Sequence, residues 1–121
     1  MPRNTPQVSA LEVERYETLS PLLEGLYRDV KELAARKQDG VLAKQMIVMI
    51  NRLLKDLKEF LKNEPTFQYL DLLDEAMIPK NSDALVLLGQ FSSAMKRYHD
   101  KYTSPDELGD ERNWNIKGQK I

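Results

Sequence analysis

Asp71, Asp74 and Glu75 are spaced i, i+3 and i+4. On a helix that spacing puts three carboxylates on one face. Such a face can bind a hard cation or pass protons. Carboxylate metal sites in helical bundles also use histidine, commonly as Glu-x-x-His, and they draw on more than one helix. This chain has no Glu-x-x-His. Leu70, Leu72 and Leu73 fall among the acids, so the group reads as the solvated side of a short amphipathic helix.

His99 is the single histidine, in Lys96-Arg97-Tyr98-His99-Asp100. A histidine oriented by a carboxylate can act as a general base near neutral pH. Asp100 is its neighbour in sequence, but adjacent helical residues point about 100° apart. No arginine stands five residues before it to make an Arg-x-x-x-x-His pair. His99 therefore reads as an exposed residue near a helix C-terminus. Ser92 and Ser93 lie within a helical pattern, without the sharp turn that presents a nucleophile. Neither glycine-rich phosphate loop is present. We expect no catalytic residue, no metal ligand and no cofactor site, and hence a non-enzymatic protein.

A second charged set is basic. Lys44, Lys55, Lys58 and Lys62 share the polar side of a helical pattern, with Asn51 on the same side. Such a face can follow a phosphate backbone. Asp56 and Glu59 flank it, and that face has no aromatics for base stacking. The 18 basic and 19 acidic residues leave a net charge of -1, which produces no general attraction to nucleic acid.

The elements that must position these residues follow from hydrophobic spacing. Ser9-Ala10-Leu11-Glu12 is a capping box. Tyr16, Leu19, Leu23, Leu26, Val30 and Leu33 then form one helical stripe. Ser20-Pro21 interrupts this helix, and the stripe keeps phase across it, which predicts a kink rather than a split. Asp39-Gly40 turns the chain. A second helix is expected over residues 41–62, burying Leu42, Met46, Met49, Ile50, Leu53, Leu57, Phe60 and Leu61. Pro65 and Pro79 bound an elbow with a short connector helix, capped by Thr66 and carrying Phe67, Tyr69, Leu70, Leu72 and Leu73. A third long helix is expected over residues 83–102, with Ala84, Leu88, Phe91, Met95, Tyr98 and Tyr102 inward. Gly25 and Gly89 are helix glycines; each suits either a close crossing or simple tolerance.

The expected fold is all-α, an antiparallel up-down bundle of three long helices with the first kinked at Pro21. Residues 1–8 read as a flexible arm, 9–102 as the bundle domain and 103–121 as a tail. The chain has 121 residues, 41% of them hydrophobic, and no cysteine. No apolar run approaches the ~18 residues of a membrane span, and the polar start lacks a signal-peptide core. These features predict a cytoplasmic protein that does not bind membrane.

The expected function is protein–protein interaction, as an accessory or regulatory subunit or a homo-oligomer. Leu11, Val13, Tyr16 and Leu22 on the long first helix are the candidate partner-binding residues. Trp114 and Ile116 join them, as an apolar pair in a polar tail that either docks on a partner or covers the end of the bundle. The alternatives are an accessory protein that contacts nucleic acid through Lys44, Lys55, Lys58 and Lys62, and a small hydrolase- or nuclease-like enzyme that uses His99.

Overall fold

Ser9 starts the first helix. Its Oγ accepts from the Glu12 amide at 3.1 Å, and Glu12 accepts from the Ser9 amide at 2.9 Å. The computed structural model describes residues 5–118, so residues 1–4 of the expected arm and 119–121 of the expected tail lie outside the described residues. Three helices dominate: α1 (Ala10–Arg36), α2 (Lys44–Phe60) and α3 (Asn81–Tyr102). β1 (Thr103–Pro105) and β2 (Arg112–Trp114) then form an antiparallel ribbon, with Thr103 opposite Trp114. Among the described residues, no helix is long and apolar enough to cross a membrane.

α1 runs unbroken through Pro21. Pro21 and Glu17 are both exposed, so the carbonyl that loses its amide partner faces water. The first stripe is inward as expected, with Leu19, Leu23 and Val30 buried. α3 buries Ala84, Leu88, Phe91, Met95 and Tyr98. α2 differs. Ile50, Leu57 and Leu61 are buried as expected, but Ile47 and Leu54 are buried too, and Met49 is exposed. The inward arc is rotated because α2 is covered on two sides, by α1 and by the segment that follows α2.

That segment, residues 61–80, is where the expected topology needs correcting. It is not an elbow, and it forms no connector α-helix. Two short 3₁₀ helices, Pro65–Tyr69 at the start of the expected connector and Glu75–Met77, sit within extended chain. At its start, Tyr102 and Lys101 at the end of α3 donate to Glu64 at 2.8 and 3.2 Å. Midway, the Asn51 side chain of α2 bonds both the amide and the carbonyl of Leu73, at 2.8 and 2.9 Å. At its end, Val41 pairs with Lys80, the Leu42 amide donates to Pro79, and the Asn81 amide donates to Gly40. The segment is a strap that returns the chain along the molecule.

Because of the strap, α2 and α3 start at the same end and run parallel to each other. Both run antiparallel to α1: Tyr16 meets Phe60 and Tyr98 at one end, and Tyr27 meets Gly89 nearer the other. A three-helix up-down order would have placed α2 and α3 antiparallel. The strap contributes Leu61, Leu70 and Leu73 to the core, supplying on that flank the apolar surface a fourth helix would otherwise give.

Two glycines have structural reasons. A Cβ on Gly40 would fall 2.8 Å from Asn81 Nδ2, which itself donates to the Lys37 carbonyl at 2.9 Å. A Cβ on Gly89 would come 3.2 Å from the Tyr27 hydroxyl, so this position admits a close approach of α1. Gly25 has only an arginine tip nearby and is tolerated.

Candidate functional site

Among the described residues, a cluster of aromatic side chains with His99 lies at the Phe60 end of the helices. Tyr16 of α1 stacks on Tyr98 of α3 at 5.9 Å between centroids, with Trp114 edge-on at 5.0 Å. Phe60 and Tyr102 each approach Tyr98 to 4.6 Å. His99 completes the group, 5.1 Å from Trp114 and 5.6 Å from Tyr16. Tilted and edge-on ring pairs of this kind add stability beyond area burial.

Trp114 reaches the cluster because the tail is built into the fold. β2 pairs with β1, the Asn115 amide donates to Tyr102, and the Val8 amide donates to Asn115. Val8 is buried and bridges Ile116, so residue 8 is part of the core rather than of a flexible arm. Arg112 ties the ribbon to the end of α3, donating to the Thr103 and Asp100 carbonyls at 2.7 and 3.0 Å. Cationic donors suit a helix C-terminus, where carbonyls lack partners. Trp114 packs on the core at the end of its own molecule, and half-buried Ile116 bridges Val8.

Burial pushes the phenols of Tyr98, Tyr16 and Tyr102 above the ordinary tyrosine value. For Tyr102, the bond to Glu64 adds to the effect. The neutral form is thus favoured in the folded state. Its stabilisation is complete below the ordinary value of 10.0 and is lost as pH rises past it, because the unfolded chain ionises first. Chemical denaturation at pH 8 and at pH above about 10.5 is expected to show a marked loss of stability, smaller in Tyr98→Phe. A pH-independent midpoint across that range would contradict the buried cluster.

His99 has no carboxylate oriented toward it in this cluster. His99 Nδ1 lies 3.9 Å from Asp100 Oδ1, too far for a hydrogen bond. His99 is half-buried among rings, not the exposed residue expected. Ser92 donates to Glu24 at 2.9 Å, joining α3 to α1. The hydroxyls of Tyr98 and Thr66 are buried and lack hydrogen-bond partners among the described residues.

Asp71, Asp74 and Glu75 do not share a helical face, because the strap is not an α-helix. All three are exposed, and Asp74 caps the second 3₁₀ turn by accepting from Ala76 at 3.0 Å. Among the described residues, no group of three or more acids and histidines is placed to hold a metal ion. The lysine face is also divided. Lys44 and Lys55 are exposed, Lys58 lies 5.1 Å over the Phe67 ring, and Lys62 pairs with Glu59 at 2.8 Å. Asn51 faces the strap, not a ligand.

An exposed apolar surface lies elsewhere. Between α1 and α2, on the flank away from the strap, Leu19, Leu22, Leu26, Met49 and Leu53 line a shallow trough rimmed by Asp29, Arg52 and Asp56. It continues toward the start of α1 past Leu11, Glu14 and Arg15. Leu11, Leu22 and Met49 are 66%, 56% and 51% exposed. Of the four expected partner-binding residues on the first helix, Leu11 and Leu22 lie here, whereas Val13 and Tyr16 pack against the core. Met49 was expected inside; spacing alone could not show that the strap would rotate α2. Comparison with family models, with curated proteins and with solved structures finds no match to this chain.

Proposed function

We propose that this protein is a helical protein–protein interaction module, an accessory subunit or a homo-oligomer, and that it binds through the α1/α2 trough. In this reading the three helices and the strap are a bundle closed on the strap flank and open on the other. The observation that carries it is the run of half-exposed Leu11, Leu22 and Met49 along one shallow trough. Adjacent exposed leucines and methionines with a charged rim are the surface expected of a binding site. Scattered single apolar residues would carry no such implication.

A tagged full-length chain used in pull-down from its native host is expected to retain a partner or itself. The Leu22→Glu/Met49→Glu variant is expected to lose that association by at least ~10-fold, since apolar anchors at the centre of an interface each contribute more than ~1 kcal/mol. These positions are exposed, so helical circular dichroism should not change. Undiminished binding by the folded variant sinks the reading. The lysine face finds less support, because Lys58 and Lys62 are engaged by Phe67 and Glu59.

A further inference from the structure

We propose that the occupant of the trough is a second copy of this chain, paired face to face about a two-fold axis; this rests on the reading of the trough as an interaction surface. The order of charges along the rim argues for it. α1 carries Arg15 toward one end and Asp29 toward the other. α2 runs the opposite way and carries Asp56 toward the Arg15 end and Arg52 nearer the Asp29 end. With the axis along the helices, α1 of one copy lies over α2 of the other at the same level, and Arg15 meets Asp56 while Asp29 meets Arg52. With the axis across the helices, like lies over like with its ends exchanged, and Arg15 meets Asp29 while Arg52 meets Asp56. Opposite signs meet either way. Glu14, farther out beside Arg15, is the one rim charge without an opposite in this scheme.

Self-complementarity is what an isologous interface requires, because one surface must serve both partners. A partner of uniform charge would instead meet repulsion along half of the rim. Shape agrees. Two antiparallel helices from each copy form a four-helix arrangement, a common way to bury such faces. A 17-residue helix is ~25 Å long and a pair is ~20 Å across, so the face is on the order of 500 Å² in projection. Side-chain relief brings that toward the ~800 Å² per partner of a standard interface. The net charge of -1 per chain adds little repulsion between copies.

The test is sedimentation equilibrium on the purified full chain. Wild type is expected at twice the 14.0 kDa chain mass. Leu22→Glu/Met49→Glu is expected to be monomeric with unchanged helical content. Arg52→Glu should weaken association by ~10-fold or more; adding Asp29→Arg should restore much of it for an axis along the helices, adding Asp56→Arg instead should restore it for an axis across them, and rescue by neither contradicts the charge pairing. A wild-type monomer at concentrations up to ~100 μM overturns the inference. If that monomer still captures a host protein through Leu22 and Met49, the interaction-module reading stands and only the second copy fails; if it captures none, both fail. A dimer indifferent to Leu22→Glu/Met49→Glu places the contact elsewhere and also overturns the inference.

Discussion

Replacing Asn51 with alanine is expected to lower the unfolding free energy by about 2–4 kcal/mol. Few exposed or half-buried positions should be so sensitive. The reason is that one side chain satisfies two backbone groups of another element. Asn51 accepts from the Leu73 amide at 2.8 Å and donates to the Leu73 carbonyl at 2.9 Å. Leu73 is buried, so truncation leaves an amide and a carbonyl without partners where water enters poorly, at ~1–3 kcal/mol for each unsatisfied group. Asn51→Asp keeps the acceptor and loses the donor, so about half the loss is expected. Urea denaturation followed by circular dichroism reads both variants. A change under ~0.5 kcal/mol in Asn51→Ala, typical of an ordinary surface position, would falsify the pinned strap.

Trp114→Ala should cost about 2–3 kcal/mol and lower Tm by roughly 10 °C. A fully buried tryptophan costs more; Trp114 is half-buried. Its ring lies within 6.2 Å, centroid to centroid, of Tyr16, Tyr98 and His99. The same residue holds β2 against β1 opposite Thr103, so the loss should extend to the Val8 bridge. Faster amide exchange at Val8 and Asn115 in the variant would report that release. Trp114→Phe should recover part of the stability, because a smaller ring still covers Tyr16. An unchanged Tm in Trp114→Ala would mean that the tail does not cover the cluster.

Helix existence was legible because each helix carries its own period and punctuation. Ser9 and Glu12 cap one, Gly40 closes its exit, and Leu88, Phe91, Met95 and Tyr98 mark the inner face of another. The strap was not legible. Pro65, Pro79 and a run of apolar residues suit an elbow as well as a return strand. What decides is long-range: Asn51 looks like any polar helix residue until Leu73 is beside it. The tail failed for a similar reason, since β1 and β2 have three residues each and show no period. The trough was half visible. Leu11 and Leu22 stood outside the first stripe, but Met49 turned outward only because the strap buries the other flank of α2.

The open trough depends on the strap closing the opposite flank, and thus on α2 and α3 starting together. The chain has no cysteine, so two can be introduced without competition, at exposed Lys44 and Asp83. A dipolar distance between spin labels there is the most direct test. Both sites lie within a turn of the paired Val41 and Lys80, so the backbone separation is expected to be roughly 15 Å, plus the reach of the labels. A separation near the ~30 Å length of α3 would show an up-down bundle instead, and with it the loss of the open trough.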